Sequence, residues 1–160
     1  MMTKYLLDTG ILLGYVRSAH YAKYIEQTFE LMTPTNISYI SIVTVGELYS
    51  LAAQLHWGDK KRKVVESLLD EVYSIDINDR DILERYAEID AFSQGRHVDR
   101  KLPDGMSSRN MGKNDLWIAA TASVLNAKLL TTDRDFEHLH KEFLEVIYID
   151  PSADYKIKDL

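Results

Sequence analysis

Along the chain, short apolar runs alternate with longer stretches whose apolar positions recur every three to four residues, and this alternation continues to about residue 150. Residues 4–7 (KYLL), 37–41, 72–75, 128–132 and 144–149 are short, apolar and bounded by turn-forming residues, which predicts strands. Between them, 11–16, 20–32, 42–55, 79–93, 115–127 and 134–140 carry helical periodicity. In 20–32 the positions Tyr21, Tyr24, Ile25, Thr28 and Leu31 form one face, with Lys23, Glu26, Gln27 and Glu30 opposite. Thr33-Pro34-Thr35-Asn36 breaks that helix, and Asn78 or Asp79 caps the one that follows residue 79. Strands alternating with helices predict an α/β fold, a mostly parallel central sheet of about five strands flanked by helices on both faces.

Two segments depart from the pattern. Residues 94–111, QGRHVDRKLPDGMSSRNM, have no hydrophobic period and read as a loop or flap longer than most internal connections, either carrying substrate contacts or being an excursion without a role. The expected organisation is therefore one domain over 1–150, with a loop insertion at about 95–111, and a polar tail over 151–160. No internal repeat or low-complexity linker divides the chain.

The polar residues at the ends of the strands change the picture. Asp8 follows the first strand in Asp8-Thr9-Gly10, a strand-to-helix turn; it either caps the next helix or faces a ligand at the carboxyl edge of the sheet. Glu47 lies near the apolar face of the 42–55 helix, among Val43, Val45, Leu48 and Leu51, so it is either solvated at the edge of the core or held by a partner. Asp115 begins a helix rich in small residues, and Asp133 ends the strand that follows it.

Composition sets the chemistry these acids can do. With 160 residues, 46% of them hydrophobic, the chain can bury one sizeable core. It has no cysteine, which excludes disulfides and thiolate metal sites and leaves a hard, oxygen-ligated cation as the natural candidate. The formal net charge of -6 argues against nucleic-acid binding through a broad basic surface, but a cation in an acidic pocket reverses the local charge toward a phosphate. The one dense basic run, Lys60-Lys61-Arg62-Lys63, reads as the solvated face of a helix or as a phosphate contact. No apolar run reaches the ~20 residues of a membrane span, and the N-terminus lacks the features of a signal peptide, so no membrane association and a cytoplasmic location are expected.

Gathered at one sheet edge, the four carboxylates could not all ionise without compensation, because each raises the others' pKa. A divalent cation supplies that compensation, polarises a phosphoryl oxygen and acidifies water for phosphodiester hydrolysis.

Four segments, LLDTGILL (6–13), SIVTVGEL (41–48), GKNDLWIAATA (112–122) and LLTTDRDF (129–136), together resemble PIN-domain ribonucleases and, among them, the VapC-type toxins of bacterial and archaeal toxin–antitoxin pairs. The resemblance spans nearly the whole chain in the family's order, and none of its four acids is substituted. It implies that Asp8, Glu47, Asp115 and Asp133 are the catalytic, metal-binding quartet for Mg²⁺ or Mn²⁺. It further implies that Thr9 and Thr131 support the site through their hydroxyls, that Asn114 is the polar residue before the third acid, and that Asp135 is an extra acid or a helix cap. Arg17, Lys113 and Arg134 are candidates to hold the RNA backbone. The implied activity is metal-dependent endoribonuclease cleavage of RNA without a covalent intermediate, with a cognate antitoxin as partner and a homodimer as the assembly. Relative to the shortest members, the surplus length falls in 96–110.

Two other readings compete. A phosphatase with Asp8 as nucleophile would want an acid two residues on, where Gly10 stands. A non-catalytic RNA- or protein-binding module would use the 10 tyrosines and apolar helices as a partner surface, although core packing explains most of them.

Overall fold

The computed structural model describes residues 1–159. Its centre is a five-stranded sheet, β1 (Lys4–Leu7), β2 (Ile37–Ser41), β3 (Tyr73–Ile75), β4 (Lys128–Thr131) and β5 (Val146–Tyr148), in the order β3-β2-β1-β4-β5. Every pairing is parallel, with Leu6 opposite Tyr39 on one side and Leu129 on the other. The central strands β1 and β4 are buried over their last three residues because both faces of the sheet are covered there, while the edge strand β3 is largely exposed.

Six α-helices and one 3₁₀ helix cover those faces. Tyr5, Leu7, Ile40 and Leu130 point into a core shared with α1 (Thr9–Val16), α2 (His20–Phe29), α3 (Ile42–Gln54) and α4 (Asp59–Glu71). The alternate residues Leu6 and Leu129 point into a second core built with α5 (Arg80–Ser93), α6 (Lys113–Leu125) and the 3₁₀ helix Arg134–Leu139. The chain starts mid-sheet, winds outward to β3, then returns past β1 to β4. Reversing direction at constant crossover hand moves the later helices to the opposite face. The reversal opens a crevice at the carboxyl ends of β1 and β4, where open parallel sheets bind ligands.

Element boundaries differ from the periodic reading where the backbone turns left-handed. Helix α2 stops at Phe29 because Glu30 adopts φ 51°, and α6 stops at Leu125 because Asn126 adopts φ 52°. Helix α6 begins at Lys113, with Gly112 rather than Asp115 at its N-cap. Asp79, not Asn78, caps α5, its carboxylate accepting from the amides of Asp81 and Ile82.

Residues 94–112 contain neither helix nor strand. Beyond β5 the chain lies along α2: the Tyr155 ring stacks on Tyr24 with centroids 4.0 Å apart, and Gln27 exchanges two hydrogen bonds with the Lys158 backbone. Among the described residues, no helix is long and apolar enough to cross a membrane.

Candidate metal centre

The Asp8 amide bonds the Leu130 carbonyl at 3.0 Å, one step beyond the last paired residues of β1 and β4, so the ladder itself fixes this residue. One carboxylate oxygen of Asp8 accepts from the Thr9 amide at 2.8 Å and the other from the Thr131 hydroxyl at 2.6 Å. Thr131 in turn accepts from the Asp133 amide at 3.0 Å. A single buried hydroxyl thus ties the acid after β1 to the acid after β4. Asp8 is also the N-cap of α1, so one side chain caps the helix and bonds Thr131 across the sheet edge.

Thr9 performs the same service toward α3. Its hydroxyl lies 2.8 Å from Glu47 Oε1 and 3.2 Å from the Thr44 hydroxyl. Thr44 and Glu47 are one turn apart on α3 and therefore meet Thr9 together. Half-buried Glu47 is held by a partner rather than left solvated at the core edge.

Asp115 stands in the first turn of α6, and Asp133 caps the 3₁₀ helix by accepting from the Asp135 amide at 2.9 Å. Asp135 itself is not the cap. Oxygens of Asp115, Asp133 and Asp135 lie within 4.8 Å of one another, a group that could hold a metal ion with small side-chain adjustment. Asp8 and Glu47 stand outside that tightest group yet are felt by it. Burial first, then Asp8, Asp133, Glu47 and Asp135, raise the Asp115 carboxyl to about 7. Burial also lifts Asp8 to about 6 against the opposing Thr131 and Thr9 hydrogen bonds, with Glu47 and Asp133 adding to the rise. No lysine or arginine forms an ion pair with any of these five acids among the described residues. An all-oxygen, like-charged pocket without a protein cation fits a hard divalent ion.

The remaining predicted residues are placed unequally. Asn114 is exposed on α6 and, with Glu47, lines an open groove of about 550 Å³ against α3. Lys113 is exposed at the start of α6 beside the acids. Arg134 pairs with Glu137 at 3.1 Å, and its guanidinium lies 4.4 Å from the centre of the Tyr148 ring. Arg17 ends α1 at the far end from Asp8, about 12 Å of helix away, so the fold does not bring it to the acids.

Three further residues shape the site: Thr44, which had no visible signal in the sequence, and Gly10 and Tyr21, whose turn and helix-face positions were visible but not their contacts here. Thr44 reaches the site only because α3 crosses α1. A Cβ on Gly10 would fall 2.2 Å from the Thr132 hydroxyl, so any other residue there would force Thr132 or the turn to shift. Tyr21 donates its hydroxyl to the Gly10 carbonyl at 2.9 Å and closes the outer side of that turn.

Known proteins share this fold. Among curated proteins, none matches the chain in sequence. Solved structures of similar fold include a chain of VapBC2 from Rickettsia felis bound to a promoter DNA fragment, with TM-score 0.69 and 21% identity over 91% of this chain and 98% of that one. A chain of VapBC-1 from nontypeable Haemophilus influenzae gives TM-score 0.64 and 24% identity over 91% and 98%. A toxin–antitoxin complex from Klebsiella pneumoniae gives 0.60 and 22% over 94% and 99%. The PIN domain family matches residues 5–142, a span that contains all five acids, both supporting threonines and the whole sheet except Lys4 and β5; the chain belongs to the PIN domain family.

Proposed function

We propose that the protein is a metal-dependent endoribonuclease and the toxin of a toxin–antitoxin pair. The observation that carries the reading is the convergence of Asp8, Glu47, Asp115, Asp133 and Asp135 at the crevice between β1 and β4 with no cation from the protein. Family membership and the fold shared with chains of toxin–antitoxin complexes support it.

In this reading Asp115, Asp133 and Asp135 hold Mg²⁺ or Mn²⁺, with Asp8 and Glu47 completing the negative pocket. A bound cation supplies Lewis-acid polarisation of the scissile phosphate and acidification of water. The chain's own residues do the rest. Thr131 and Thr9 keep Asp8 and Glu47 oriented. Lys113 and Asn114, exposed on the rim, meet the RNA backbone; Arg134 joins them only by leaving Glu137, and Arg17 acts from the far end of α1. Residues 1–150 form the nuclease unit, a cognate antitoxin covers the acidic crevice, the protein works as a homodimer, and its place is the cytoplasm.

The test is cleavage of RNA by the purified protein. Mg²⁺ or Mn²⁺ should support it, EDTA should abolish it, and Asp8→Ala and Asp115→Ala should each lower the rate at least a hundredfold, about 2.7 kcal/mol of barrier. Retention of full activity by both variants would refute the assignment. Growth arrest on expression, relieved by the product of the adjacent reading frame, tests the toxin role separately.

A further inference from the structure

The excursion 94–109 is closed at its foot, where the Arg109 amide donates to the Ser93 carbonyl at 2.8 Å. That foot leads through buried Met111 and the Gly112 cap into α6, three residues before Asp115. On its other flank, Arg100 donates to the Glu142 carbonyl and lies 4.5 Å over the Phe143 ring, just past the 3₁₀ helix that Asp133 begins. The foot of the excursion therefore stands at the start of α6, near Asp115, while Arg100 anchors its other flank past the far end of the 3₁₀ helix.

It is a built structure. Leu102 packs into the second core, the amides of Asp99 and Arg100 donate to His97 Nδ1, and Pro103 to Met106 close a turn with Gly105 at φ 84°. Its charge runs against the rest of the chain, with Arg96, Arg100, Lys101 and Arg109 against only Asp99 and Asp104 in a protein of net charge -6. Arg100 is spent on the fold. Arg96 and Lys101 are exposed and form no ion pair among the described residues.

We propose that this excursion is a backbone-binding arm for single-stranded RNA, with Arg96 and Lys101 holding phosphates as the strand enters the acidic crevice. The proposal rests on the ribonuclease reading for its ligand. Fixed cations on a preorganised loop hold a phosphate chain at low ordering cost, and they supply locally the positive field that the acidic surface lacks.

Binding of a fluorescently labelled single-stranded RNA to the full chain, followed by anisotropy in EDTA so that no cleavage occurs, tests it. Arg96→Glu/Lys101→Glu should weaken binding about tenfold and make the slope of log affinity against log salt shallower by about 1.4, two phosphate contacts at about 0.7 each. Lys60→Glu/Lys63→Glu, the same charge change on exposed positions of α4 under the opposite sheet face, should stay within about twofold of wild type. If the reversal unfolds the chain, Arg96→Gln/Lys101→Gln should still lose about threefold. Equal losses in the two charge-reversed proteins, an unchanged affinity in the excursion variants, or no RNA binding by wild type overturns the proposal. Excursion-dependent binding without any Mg²⁺- or Mn²⁺-dependent cleavage would instead leave the arm standing and overturn the nuclease.

Discussion

Asp115 is where opposing effects at the start of α6 are decided. A carboxylate in a first helical turn gains roughly 0.5 kcal/mol from the helix dipole, but burial and four neighbouring acids raise its pKa to about 7, so destabilisation of the charged form wins. The stability held by the protonated form is complete below the ordinary value of 3.8 and is lost as pH rises through about 7. Asp115→Asn removes that titration. In EDTA at pH 8 it should stabilise the protein by about 1 to 2 kcal/mol, a full shift discounted for solvent screening of a half-buried group, and the gain should vanish near pH 4. Thermal melts of both proteins across that range check it; an Asn variant less stable than wild type at pH 8 would show that the acids do not repel as described. His138 is the contrasting buried titratable residue. Burial, then Arg109, lowers its pKa to about 4, and its Nε2 lies 2.7 Å from the Ser93 hydroxyl while Nδ1 has no partner of good geometry. Both side chains are almost fully buried, so this Ser–His pair is a strut between α5 and the 3₁₀ helix rather than a nucleophile.

At the scale of elements, glycines in similar helical settings have opposite meanings. A Cβ on Gly14 of α1 would enter the Tyr21 ring at 2.4 Å and displace the hydroxyl that bonds Gly10, whereas a Cβ on Gly46 of α3 would meet nothing within 4 Å. Gly14→Ala should cost about 1 to 3 kcal/mol through overpacking, while Gly46→Ala should gain about 0.5 to 1 kcal/mol in helix propensity. Chemical denaturation of the two variants measures both, and equal shifts of one sign would contradict the packing of α2 on α1. The elements themselves were largely legible. The central strands β1 and β4 are runs too short for a helix and largely apolar, and α2 shows one apolar and one polar face, whereas α1 and α6, apolar or small-residue-rich, carry little period. What periodicity misses is where a helix ends in a left-handed residue: Glu30 and Asn126 stop α2 and α6 inside stretches that remain helical by pattern.

For the whole molecule, a cation that joins the acids couples elements that otherwise repel. Mg²⁺ or Mn²⁺ should raise the melting temperature by several degrees at pH 8, with about 2–4 °C per kcal/mol for a chain of this size. The rise should be small at pH 5, where Asp8 and Asp115, with values near 6 and 7, already carry protons. An equal rise in Asp115→Asn/Asp133→Asn would locate the effect elsewhere.

The sequence by itself determined the alternation of strands and helices, the absence of thiolate ligands, and the location of Asp8 and Asp133 at strand ends, because composition is read directly and local periodicity and turn chemistry act within a few residues of each position. It could also mark Glu47 as an acid out of place on an apolar face. Only the tertiary structure decided that Thr131 bridges the acids of β1 and β4, that Thr44 and Thr9 hold Glu47, that Asp135 joins the cluster instead of capping, and that Arg17 stays a helix length away. Those relations join residues more than thirty positions apart, or depend on the angle at which one helix leaves a sheet, and strand order and helix crossing set them only once both cores have packed.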